Sequence, residues 1–143
     1  MSLNRATLIG RLGQDPEIRT NSNGVKFATF TLATSETWKD KQTGDKKEQT
    51  DWHRIIVSSE GLAELTEKYL HKGMQVLIEG RIRTRKYTGS DNVERYVTEI
   101  VVGGYNGTLQ ILERKEGVST ASADAAPAED PAPAGDLDDD IPF

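Results

Sequence analysis

The sequence predicts an all-β domain with one helix, a five-stranded Greek-key barrel, followed by a disordered acidic C-terminal tail. Three observations predict it. Short β-like runs separated by turn clusters occupy most of residues 3–112. One stretch alone, residues 59–73, has helical periodicity. All 18 Lys and Arg lie between Arg5 and Lys115, while residues 116–143 carry eight of the 23 acids and no base.

The first strand falls in residues 3–12 and ends in the turn material Gly13-Gln14-Asp15-Pro16. The second, residues 25–35, follows Asn21-Ser22-Asn23-Gly24. Residues 38–49 are polar, with Thr43-Gly44-Asp45 as a hairpin tip, and residues 50–57 form a third strand. In the helix, Ser59 is placed to cap, Glu60 suits the positive N-terminal end, and Leu62, Leu65 and Tyr69 fall on one stripe. Lys72 lies near its end and Gly73 is placed to close it. Residues 74–87, 93–102 and 108–112 complete the strands, with Gly89-Ser90-Asp91-Asn92 as a turn. Three strands, a helix and further strands is the order of a Greek-key barrel of the oligonucleotide-binding (OB) type. A flat antiparallel sandwich fits the same pattern.

Charge divides the chain. Residues 1–115 hold 18 bases and 15 acids, a net of +3, and residues 116–143 bring the whole to −5. A cationic body beside an anionic tail implies a body that binds polyanions and a tail that weakly competes. We expect an OB-fold domain over 1–113, a disordered linker over 114–137 and a protein-interaction tip over 138–143. The linker is rich in Ala, Pro, Ser and Asp, too poor in apolar area to offset its ordering entropy. There is no cysteine, so neither a disulfide framework nor a Cys-based metal site is expected. No apolar run is long enough to span a membrane, and residues 1–5 run straight into a strand pattern rather than a signal peptide. A cytoplasmic protein is expected.

The chemistry concentrates on the strands. In residues 74–87, Met74, Val76, Ile78 and Ile82 share the face assigned to the barrel interior, while Arg81, Arg83, Arg85 and Tyr87 share the other. Side chains on one face recur about every 6.6 Å, close to the phosphate spacing of an extended single strand. Lys86 adds a further positive charge. In the third strand Trp52, Arg54 and Ile56 share a face against His53, Ile55 and Val57. Trp38 stands among Lys39, Lys41, Lys46 and Lys47. Exposed rings stack on any base, and Arg and Lys release counterions from phosphates. The plainer alternatives are a solvated strand face that discourages edge pairing for the arginines and core packing for Trp52. Tyr96, alternating with Ile100 and Val102, is assigned to the core.

His53 and His71 have no companion ligands at metal spacing, so no metal is expected, and a hydrogen-bonded structural role suits His53. The body's acids are scattered, with no activated nucleophile beside a base, so no catalytic residue and no cofactor are assigned.

The tip, Asp138-Asp139-Asp140-Ile141-Pro142-Phe143, ends a tail of poor folding capacity with two bulky apolar side chains. Three carboxylates, a stiff Ile-Pro step, a Phe and the α-carboxylate suit a partner with a basic rim around an apolar pocket. An acidic solubilising tail is the plainer reading.

Taken as a set, the segments Leu12 to Glu17, Leu32 to Glu36, Glu48 to Arg54, Tyr69 to Gly73, Ile78 to Arg81, Arg83 to Lys86 and Asp138 to Phe143 closely resemble the bacterial single-stranded DNA-binding protein family. The resemblance covers roughly residues 3–112 and the tip. It implies an OB fold, a homotetramer that wraps single-stranded DNA in replication, recombination and repair, and enzymes recruited through the tip. It places Trp38 and Trp52 at stacking positions, Tyr87 where members often carry Trp, and His53 at a position tied to the oligomer interface. One region departs: where members often have a stacking Phe, this chain reads Ser58-Ser59-Glu60-Gly61, with one residue inserted. An altered base path near Ser58 is expected.

The functional expectation is a non-enzymatic, sequence-independent binder of single-stranded DNA. The rivals are an OB-fold primosomal or RNA-binding module and a small nuclease.

Overall fold

The computed structural model describes residues 1–113; the expected linker, 114–137, and tip, 138–143, lie outside the described residues. Apolar alternation builds the strands: β1 (Ala6–Leu12), β2 (Glu17–Thr20), β3 (Lys26–Lys39), β4 (Lys46–Val57), β5 (Gln75–Thr88), β6 (Glu94–Val102) and β7 (Thr108–Ile111), with helix α1 (Glu60–Tyr69) between β4 and β5. Ala28, Phe30 and Leu32 of β3, Ile55 and Val57 of β4, Val76 and Ile78 of β5, and Ile100 and Val102 of β6 meet in one core. Burying each of the larger side chains contributes about 1.5–3 kcal/mol.

The five long strands close on themselves in the order β1, β3, β4, β6, β5, and β5 returns to β1 from Ala6↔Gly80 to Arg11↔Gln75. The β4–β6 pairing is parallel and the others in the ring are antiparallel. This is the five-stranded OB-type barrel expected, and closure removes the open edges that a flat sandwich would leave. β2 pairs with β3 and β7 with β5, outside the ring; β2 was not anticipated.

Two strand pairs run past the barrel. β3 and β4 remain paired out to Lys39↔Lys46, so residues 36–39 and 46–49 are a ribbon rather than a loop. At its tip Asp40 donates its N–H to the Asp45 carbonyl and Gly44 adopts φ +77°. β5 and β6 remain paired out to Thr88↔Glu94. Burial along β5 stops at Gly80, where β1 begins. Ile82 is therefore 46% exposed rather than interior, and Asn4 closes the ladder there, accepting from the Ile82 N–H and donating to its carbonyl. For the same reason Tyr96 is 72% exposed, not core.

Helix α1 packs against β3 through Leu62, Ala63, Leu65 and Thr66. Tyr69 falls off that stripe and is exposed. Ser59 occupies the N-cap position without a side-chain cap bond; its carbonyl accepts from the Ala63 N–H. The helix ends at Leu70, so Gly73 does not cap it but turns the chain into β5, its N–H donating to the Leu12 carbonyl.

Candidate nucleic-acid interface

Because alternation is kept across the β4–β6–β5 ladders, one outer face collects residues from all three strands. β4 contributes Trp52, Arg54 and Ile56; β6 contributes Val97, Glu99 and Val101; β5 contributes Arg81, Arg83, Arg85 and Tyr87. Trp52 is 61% and Tyr87 39% exposed. The carbon of the Arg85 guanidinium lies 6.0 Å from the centroid of the Tyr87 ring, the outer reach of a cation–π contact. Six of the expected residues thus share one surface, an alternation of cations with rings at its end.

Charge on this face is not all available to a ligand. Glu99, 1% exposed, sits opposite Arg83 in the ladder. It accepts from Arg83 Nη2 at 2.7 Å and from Arg85 Nε at 3.0 Å, and Arg54 Nε lies 3.5 Å away. Burial pushes this carboxyl up, but hydrogen bonds from Arg83 and Arg85, with their charges, outweigh burial and hold it below the ordinary carboxylate value. The three arginines are thereby held in a fixed comb about one anion. Arg81, opposite Val101, is in no ion pair among the described residues. A lone Glu inside the run Tyr96-Val97-Thr98-Glu99-Ile100-Val101-Val102 was the available signal.

Two expected residues lie elsewhere. Lys86 points to the other face of β5, opposite Tyr96, and pairs with Glu94 at 2.6 Å. Trp38, 45% exposed, pairs with Lys47 on the ribbon and shares its strand face with Phe30 and Leu32, whereas Trp52 is on the reverse. A strand contacting both rings must cross the ribbon. Lys47 is held by Asp40 at 2.9 Å, and that hydrogen bond is the main cause of the lowered Asp40 pKa. His53 lies half-buried beside the core, with its Nε2 2.8 Å from Thr34 Oγ1. It meets no metal-like group: among the described residues no cluster of three or more His, Cys, Asp or Glu is placed to hold an ion.

Two further features depend on contacts that strand alternation does not reveal. Gly13 lies beneath the edge of the Trp52 ring, so that a Cβ there would collide with Trp52 Cζ3 and approach Thr31 Oγ1 to 2.9 Å. Next to Ser58, a groove opens between Phe27, Ile56, Val101 and Arg83.

The family described as Single-strand binding protein family matches residues 3–111. A single-stranded DNA-binding protein of Rickettsia felis is 42% identical over 150 residues, covering 99% of this chain and 98% of that protein. The protein of the same name from Rickettsia typhi is 46% identical over 114 residues, covering 80% of this chain and 75% of its own length. Among solved structures, the Plasmodium falciparum SSB complex with ssDNA is similar with TM-score 0.71 and 42% identity, covering 79% of this chain and 97% of that one.

Proposed function

Because this chain belongs to the single-strand binding protein family, we propose that it is a non-enzymatic protein that binds single-stranded DNA without reading its sequence. The observation that carries the reading is the outer β4–β6–β5 face, where Trp52 and Tyr87 flank Arg54, Arg81, Arg83 and Arg85. Rings stack on bases of any identity, and guanidiniums neutralise phosphates. A duplex hides its base faces, so such a surface favours unpaired strands. Trp38 with its ribbon lysines and Lys86 extend the path around the barrel.

The wider role is protection of single strands in replication, recombination and repair, in the cytoplasm and at the nucleoid. The domain plan is a binding domain over 1–113, a tether over 114–137 and a tip over 138–143 that recruits the enzymes of those processes. A homotetramer, with His53 near the subunit contact, multiplies affinity through effective concentration. Its stoichiometry is read by mass measurement with and without a long oligo-dT.

Competition decides the function: labelled oligo-dT is displaced by unlabelled single-stranded DNA, duplex DNA or RNA of equal length. The reading requires single-stranded DNA to compete far better than duplex. Equal competition by duplex refutes it, and a preference for RNA gives the surface to the RNA-binding rival. A metal-dependent cleavage assay on the same oligonucleotide is expected to show no product.

A further inference from the structure

We infer, resting on the single-strand reading above, that the groove beside Ser58 is a nucleobase site in which Phe27 is the stacking ring. It is lined by the apolar side chains of Val25, Phe27, Ile56 and Val101 and by the cations Arg83 and Arg85. Phe27 lies on β3 opposite the end of β4, one step beyond the pair Ala28↔Val57, on the outer face away from the core. The groove is about 350 Å³, the small end of the range for organic ligands, which suits one base and not a run of them. Apolar walls beside two cations match a nucleotide: the flat ring meets the walls and the phosphate meets the guanidiniums.

Two polar groups fit the same occupant. Asn21 Oδ1 accepts from the N–H groups of Asn23 and Val25, which fixes the side chain and leaves its amide hydrogens for a base carbonyl. Arg83 Nε is shielded and has no hydrogen-bond partner among the described residues, although Arg83 Nη2 is held by Glu99. A small shift of the side chain toward an acceptor in the groove removes that deficit. The two arginines of the lining favour an occupant that carries a phosphate.

The test uses the full chain bound to oligo-dT carrying 5-bromodeoxyuridine. Irradiation followed by peptide mass mapping should locate crosslinks at Phe27 as well as at Trp52. Crosslinks at Trp38, Trp52 or Tyr87 with none at Phe27 overturn this inference and leave the binding reading intact; crosslinks at none of the four remove the binding reading. Independently, Phe27→Leu keeps apolar bulk but loses the ring. It should weaken oligo-dT binding about five-fold or more, the low end of one stacked base, with the melting temperature and the salt slope unchanged. Unchanged affinity in that folded variant contradicts the assignment.

Discussion

The edge of the Trp52 ring rests on Gly13, in the space that a side chain at that position would fill. The turn after β1 thus sets how the ring leans, across Thr31 and away from β6. Because the colliding atom is the far end of a side chain, Gly13→Ala should displace the ring rather than the backbone. The variant should melt like the parent yet bind oligo-dT more weakly, by about 1 kcal/mol. Trp52→Ala, removing the ring altogether, should cost about 1–3 kcal/mol, the range general to aromatic platforms in single-strand binders, this family included. Equal affinity of Gly13→Ala and parent would show that the orientation of this ring is irrelevant.

Glu99 restrains the arginines proposed to meet the phosphates. Glu99→Gln removes the anion shared by Arg83, Arg85 and Arg54. Breaking a buried ion pair costs about 3–5 kcal/mol, and these arginines are 40–48% exposed, so the loss should fall at or below the low end. Urea denaturation measures it. DNA binding should become more salt-dependent, by up to about 0.7 in the log–log slope per arginine released to a phosphate. A stable variant with an unaltered slope would mean that Glu99 neither holds the comb nor competes with phosphates.

The same residue fixes a pH dependence. The Glu99 carboxyl is held below its ordinary value of 4.5 in the fold. Its contribution to stability is therefore fully present above that value and disappears as pH falls through the lowered one. The difference in urea midpoint between parent and Glu99→Gln should stay constant from pH 7 to about 5 and shrink in stronger acid. A difference that grows on acidification has the wrong sign for this account. Glu79, lowered chiefly by the hydrogen bond from Arg5, follows the same direction.

Removing residues 141–143 should abolish recruitment of partner enzymes while leaving oligo-dT affinity and its salt dependence intact. The truncation removes only Ile141, Pro142 and Phe143 and leaves all eight acids of residues 116–143 in place, so electrostatic competition is unchanged. Pull-down of replication and repair enzymes with the parent and truncated chains checks this; equal capture by both would dismiss the terminal anchor.

Strand alternation made much of this legible in advance. The opposition of Trp52 and Arg54 to Ile55 and Val57, and the Arg81-Arg83-Arg85-Tyr87 face, follow from a period of two. What alternation does not reveal is where a strand leaves the barrel. Ile82 and Tyr96 have core-like chemistry in core-like phase, yet β1 begins at the level of Gly80 and none of the described residues covers them. Glu99 was illegible for a related reason. Its partners are cross-strand neighbours, fixed by the registers Arg83↔Glu99 and Ile55↔Ile100, and register depends on loops that periodicity does not read. The seat of Trp52 on Gly13 likewise joins residues 39 positions apart through three-dimensional closure.

The central claim, that exposed rings take unpaired bases while adjacent guanidiniums neutralise the backbone, is tested most directly by titrating the full chain with oligo-dT and following tryptophan fluorescence at several salt concentrations. The account predicts strong quenching of Trp38 and Trp52 and a log affinity that falls with log salt by about 0.7 per neutralised phosphate. Binding that neither quenches the tryptophans nor responds to salt would contradict it.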